Sequence, residues 1–113
     1  MSVTIYYNPS CSKCRLTLEL LRENGVEPQI VEYLNTPPSA AELKDILQKL
    51  GKDAGEIVRT KEAQEEGIDA AALDDDGLIE ALIAHPRAMV RPIVVKGDKA
   101  AIGRPPESVL EIL

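Results

Sequence analysis

The stretch Val3-Thr4-Ile5-Tyr6-Tyr7-Asn8-Pro9-Ser10-Cys11-Ser12-Lys13-Cys14-Arg15 decides how this chain is read. Its β-branched and aromatic opening, Val3 to Tyr7, predicts a strand. Asn8-Pro9-Ser10 predicts a turn, because each of these residues favours non-helical backbone for its own reason. A helical pattern runs from about Ser12 to Asn24, with Leu16, Leu20 and Leu21 expected on its buried face and Gly25 as the C-terminal cap. This order places a thiol pair at a helix N-terminus. Free backbone N–H groups and the helix dipole favour a thiolate there, and Lys13 and Arg15 add positive charge.

Outward from that stretch, Gln29 to Leu34 predicts a second strand, parallel to the first across the helix. Asn35-Thr36-Pro37-Pro38 is a stiff turn, and Ser39 with Glu42 forms a capping box for a helix that Gly51 ends, with Ala40, Leu43, Ile46, Leu47 and Leu50 on its apolar face. Short helical pieces are expected at 54–58, 61–66 and 75–83. Pro92 to Lys96 and Lys99 to Ile102 predict a hairpin around Gly97-Asp98. Pro106 to Leu113 closes the chain as a helix with Val109, Leu110, Ile112 and Leu113 to bury. A β-α-β unit followed by β-β-α gives an α/β fold, a thioredoxin-like four-stranded mixed sheet. A helical insert, residues 39–86 approximately, separates the halves of one domain spanning 1–113.

Composition narrows the function. The chain has 113 residues, 44% of them hydrophobic, enough for a folded core. Its net charge is −6, and it lacks Trp and Phe. Nucleic-acid binding, which needs a basic surface, is therefore not expected. No apolar run approaches the roughly 20 residues that span a bilayer, and no signal peptide is legible. A cytoplasmic location, where thiols stay reduced, is expected.

Cys11 is the candidate nucleophile, being nearest the helix N-terminus. Cys14, one turn on, is either a partner thiol or a small apolar residue packed at the helix start. The pair offers two metal ligands and His85 is the only histidine, so no metal site is expected. Asp74-Asp75-Asp76 reads as a solvated helix start rather than a metal loop, and His85-Pro86 as a turn. Arg59, Arg91 and Arg104 stand out in an acidic chain. Arg91 and Arg104 each precede a proline, and the loop before the third strand of a thioredoxin-like sheet lies beside the nucleophilic cysteine. Guanidinium groups bind tetrahedral oxyanions through paired hydrogen bonds that lysine cannot reproduce. Surface arginines without a ligand remain the other reading of the three.

These segments together resemble the glutaredoxin-coupled arsenate reductases along the whole chain. The resemblance runs through Tyr6-Tyr7-Asn8-Pro9-Ser10-Cys11, Tyr33-Leu34-Asn35-Thr36-Pro37-Pro38, Ile57-Val58-Arg59, Leu78-Ile79, His85-Pro86, Val90-Arg91-Pro92-Ile93-Val94-Val95 and Gly103-Arg104-Pro105. It implies that Cys11 attacks arsenate as a thiolate, and that Arg59, Arg91 and Arg104 hold the oxyanion. It further implies that glutathione as co-substrate and glutaredoxin as protein partner complete the reduction to arsenite. No metal or bound organic cofactor is implied. Thioredoxin-like topology makes Pro92 a candidate cis proline.

The chain departs from that family in carrying Tyr7 where a histidine usually precedes Asn-Pro, and in having Cys14 as a second thiol, a possible resolving or redox-switch residue. It stops soon after the closing helix, as in the compact chromosomal relatives. Two other readings follow from the Cys11–Cys14 spacing. One is a redox-sensing transcription regulator of the same superfamily that binds RNA polymerase. The other is a general dithiol oxidoreductase.

Overall fold

The computed structural model describes residues 2–113 as two compact units, one of residues 2–36 with Arg91–Leu113 and the other of Pro37–Val90. The first unit holds the sheet. Its strands β1 (Val3–Tyr7), β2 (Gln29–Glu32), β3 (Ile93–Lys96) and β4 (Lys99–Ile102) lie in the order β2-β1-β3-β4. β1 is parallel to β2 and antiparallel to β3, and β3 is antiparallel to β4. The expected mixed sheet is therefore present, with Ile5 opposite Ile30 on one side and Val94 on the other.

Strand alternation sends Val3 and Ile5 to one face. There they form a core with Leu18 and Leu21 of helix α1 (Ser12–Glu23), with Val94, and with Val109 of the closing segment. The stripe that α1 buries is Cys14, Thr17, Leu18 and Leu21, an i, i+3, i+4, i+7 set. Leu16, expected on that face, is instead 49% exposed. It sits two residues from Cys14 and Leu18, which rotates it out of a stripe fixed by Cys14 and Thr17.

Two other elements differ from the sequence expectation. β2 ends at Glu32, because the N–H groups of Asn35 and Thr36 both turn back to the Glu32 carbonyl, each at 3.0 Å. The closing segment Pro106–Ile112 is a 3₁₀ helix, not an α-helix, and it buries Val109 while leaving Leu110 exposed. Its three-residue turn narrows the buried face to fewer positions. The Arg91–Pro92 peptide bond is cis, as the thioredoxin-like topology implied, and so is Arg104–Pro105.

The second unit is helical. Helix α2 (Ala40–Leu50) starts at the expected capping box: Glu42 N–H donates to Ser39 Oγ at 3.2 Å, and Ser39 N–H donates to Glu42 Oε1 at 3.1 Å. It ends at Gly51, whose φ of 68° needs a residue without a Cβ. α2 buries Leu43, Ile46 and Leu47, and packs on α4 (Asp75–Ala84), which buries Leu78, Ile79 and Leu82. Between them lie a 3₁₀ turn at Ala54–Ile57, α3 (Thr60–Glu65) and a second 3₁₀ turn at Ala70–Ala72. An isolated antiparallel bridge pairs Val58 with Met89 within this unit.

The acidic run is used structurally. Asp74 caps α4 through Gly77 N–H, Asp75 accepts from Ala54 N–H, and Asp76 pairs with Lys44. Among the described residues no helix is long and apolar enough to cross a membrane.

Candidate active site

The turn before α1 sets the nucleophile. Asn8 Oδ1 accepts from Ser10 N–H at 2.9 Å and the Asn8 carbonyl accepts from Cys11 N–H at 3.0 Å. Arg15 clamps the same turn, donating from Nη1 to the Pro9 carbonyl at 2.8 Å. Cys11 is left as the N-cap residue of α1, with extended backbone (φ −95°, ψ 121°). A capping side chain normally offers oxygen to the N–H groups two and three residues on. Here a sulfur occupies that position, facing the N–H groups of Lys13 and Cys14.

Burial works against ionising Cys11, whose side chain is only 9% exposed. The Cys14 N–H and thiol, the Arg91 guanidinium and the Lys13 N–H outweigh it, and the net effect holds the Cys11 thiol below its ordinary value. Cys14 behaves oppositely. It is 0% exposed, and burial pushes it up to about 12, reinforced by the negative charge of the Cys11 thiolate beside it. The proton is therefore released more readily from Cys11 than from Cys14.

Two arginines reach this thiolate from the returning chain. Arg104 donates from Nη2 to Cys11 Sγ at 3.7 Å and from Nε to the Arg91 carbonyl at 2.7 Å. Arg91 precedes the cis Pro92, and its guanidinium stabilises the Cys11 thiolate. Gly103 makes the approach of Arg104 possible. A Cβ there would lie 2.5 Å from Thr17 Oγ1 and 2.7 Å from Pro92 Cγ. Gly103 N–H donates to the Pro92 carbonyl at 2.9 Å, which ties the two arginine-bearing segments together.

Of the predicted site residues, Cys11, Cys14, Arg91 and Arg104 thus converge in the first unit. Arg59 belongs to the second unit, where it is the N-cap of α3 and its Nε is ion-paired with Glu62, a carboxylate only 12% exposed. His85 faces Glu66 at 3.6 Å.

Two residues gained a place that the sequence did not signal. Gly103 is a steric requirement set by Thr17, a residue distant in sequence. Tyr33 is 0% exposed, and burial pushes its hydroxyl up to about 12, with the nearby Arg91 charge pulling the other way. Its tyrosine type at a strand end gave no hint of this neighbourhood.

A cysteine at a helix N-cap, on a four-stranded mixed sheet in which a cis proline precedes the third strand, defines a thioredoxin-like protein, and here Arg91 and Arg104 lie against that cysteine's sulfur. The match to known sequences is more specific. The ArsC family profile matches residues 6–112, and the chain belongs to that family. It is 53% identical over 114 residues to the uncharacterized protein YfgD of Escherichia coli (strain K12), covering 98% of this chain and 96% of that one. It is 47% identical over 116 residues to an arsenate reductase of Haemophilus influenzae, covering both chains completely. The solved structure of an arsenate reductase from Vibrio cholerae superimposes with a TM-score of 0.94 at 47% identity, covering 100% of this chain and 98% of that one.

Proposed function

We propose that this chain reduces arsenate to arsenite in the cytoplasm, with Cys11 as the nucleophile. The observation that carries the reading is the Cys11 sulfur itself. It sits at a helix N-cap with its ionisation favoured, and within 3.7 Å of the Arg104 guanidinium. An anionic substrate and an anionic nucleophile repel each other unless fixed cations offset both charges. Arg91 and Arg104 meet that need with planar, multiply donating groups.

In this reading the Cys11 thiolate forms a sulfur–arsenic bond, and one arsenate oxygen leaves as water after taking up protons. Arg104 and Arg91 turn their donors from the thiolate to the arsenate oxygens as the negative charge moves there. Glutathione then attacks the bound arsenic. Two thiols supply the two electrons that convert As(V) to As(III), and they leave as a disulfide that glutaredoxin resolves. Arg59 enters as a third oxyanion ligand on the strength of the family resemblance. Cys11 and the arginines need no metal or organic cofactor for these steps.

The test is arsenate reduction coupled to glutathione, glutaredoxin and NADPH. Cys11→Ser should abolish turnover. Retained activity in that variant would overturn the nucleophile assignment.

A further inference from the structure

Helix α1 carries two stripes. One is the buried set of Cys14, Thr17, Leu18 and Leu21. The other, Leu16, Leu20 and Glu23, lies one step round the helix; Leu20 is partly buried against the core, while Leu16 and Glu23 are exposed. It lines a groove of about 410 Å³ whose far wall is Pro105, Pro106 and Glu107, at the start of the closing 3₁₀ segment. Two of its lining residues adjoin the cysteine and arginine positions in sequence. Lys13 lies between the two cysteines in sequence, and Pro105 directly follows Arg104. The apolar contribution is real: Leu16 is 49% exposed, beside half-buried Leu20 and two proline rings.

Charge decides what fits. Glu19 and Glu23, one helical turn apart, and Glu107 across the groove face a single cation, Lys13. Neither Arg91 nor Arg104, the two arginines at the thiol, lines the groove. A free small anion, including a tripeptide with two carboxylates, is drawn to the arginine side and repelled from the groove. A protein surface that presents an apolar side chain flanked by lysine or arginine matches the groove in both respects. The groove begins at Lys13, in the first turn of the helix that Cys11 caps.

We propose that this groove is the docking surface for the protein thiol that returns Cys11 to its reduced form, a partner whose face around its own reactive cysteine is basic. This rests on the thiol-dependent reductase reading, and it adds where the electron donor sits and what charge it carries. The step it serves is a thiol–disulfide exchange. The partner's thiolate attacks the outer sulfur of a mixed disulfide on Cys11, a new disulfide forms on the partner, and Cys11 leaves as a thiolate.

The experiment uses the full chain loaded with glutathione on Cys11 by treatment with oxidised glutathione. Reduction of that mixed disulfide is followed with glutaredoxin, and separately with dithiothreitol, for the wild type, Glu19→Lys/Glu23→Lys and Glu107→Lys. The expected result is a fall of about ten-fold or more with glutaredoxin in the double variant, and a smaller fall in the same direction in Glu107→Lys. Rates with dithiothreitol should be unchanged. Added salt should slow the wild type with glutaredoxin and level the difference between the proteins. Equal glutaredoxin rates in all three proteins, or parallel losses with dithiothreitol, would overturn the docking site. A charge-dependent glutaredoxin rate in a protein that shows no arsenate reduction would support the docking site and overturn the arsenate reading alone.

Discussion

Replacing Cys14 by serine and by alanine separates a resolving thiol from a proton-holding neighbour. A resolving thiol must itself become a thiolate. Cys14 is pushed from an ordinary value of 9.0 to about 12, first by burial. That cause persists after Cys11 has been converted to a neutral adduct. At pH 7.5 such a thiol is ionised to about one part in 30,000, against about one in 30 for an ordinary one. The higher basicity returns only about 20-fold in intrinsic nucleophilicity, so Cys14 attacks roughly 50-fold more slowly than an exposed thiol such as glutathione. Serine keeps a donor toward Cys11, and Cys14→Ser should hold turnover within about two-fold. Alanine removes the donor. A hydrogen bond to a charged group contributes about 1.5–3 kcal/mol, so the Cys11 ionisation should move up by about one to two units. Activity that needs the thiolate rises with pH, so the limb of the Cys14→Ala profile moves to higher pH. The assay is the pH dependence of Cys11 alkylation by iodoacetamide, alongside coupled arsenate turnover and mass spectrometry of the Cys11 adduct. The reasoning is refuted if Cys14→Ser stalls with the Cys11 adduct accumulating while its alkylation profile matches the wild type.

Three further expectations follow from the same geometry. Arg104→Lys cannot satisfy both the Arg91 carbonyl and the Cys11 sulfur; it should raise the pH needed for Cys11 alkylation and cut kcat/KM for arsenate by about 10- to 100-fold, measured by initial rates. Gly103→Ala puts a methyl group within 2.7 Å of both Thr17 and Pro92 atoms; urea unfolding should show a loss of about 1–3 kcal/mol, accompanied by a less reactive Cys11. Tyr33 is held protonated by the fold, with its hydroxyl raised from 10.0 to about 12; its contribution is fully present below pH 10 and is lost as pH rises toward 12, so wild-type stability should fall across that window more steeply than that of Tyr33→Phe, tested by urea midpoints at each pH.

The sheet was legible because its signals are local. Alternation in Val3–Tyr7, the Gly97-Asp98 turn and the Ser39–Glu42 box each act within a few residues, and all recur in the structure. Cys11 and the two prolines next to arginine were legible as residues. What stayed hidden depends on packing between segments far apart in sequence. Leu16 looked buried because α1 carries leucines on adjacent stripes, and only the fit of Thr17 against Gly103 shows which stripe faces inward. Leu110 looked buried because a 3.6-residue period was assumed for a segment that winds with three. The Arg59–Glu62 ion pair was likewise not legible, because it depends on a helix start that brings residues three apart together.

The unequal roles of the two cysteines come from helix geometry before any other residue acts. With Cys11 at the N-cap, a cysteine three residues on occupies the third helical position. Its main-chain N–H then points at the sulfur ahead of it, and its side chain begins the buried stripe. Cys14 therefore helps Cys11 twice, through N–H and S–H, and burial against Leu18 and Leu21's face of the helix keeps its own proton in place. The arginines enter from the other end of the chain and supply the positive charge that the helix start alone provides only partially. Exchanging the order of nucleophile and neighbour would leave the thiolate inside the core, away from Arg104, where desolvation opposes it. A C-x-x-C spacing in this setting thus specifies one nucleophile and one donor, and the direction of the helix fixes which is which.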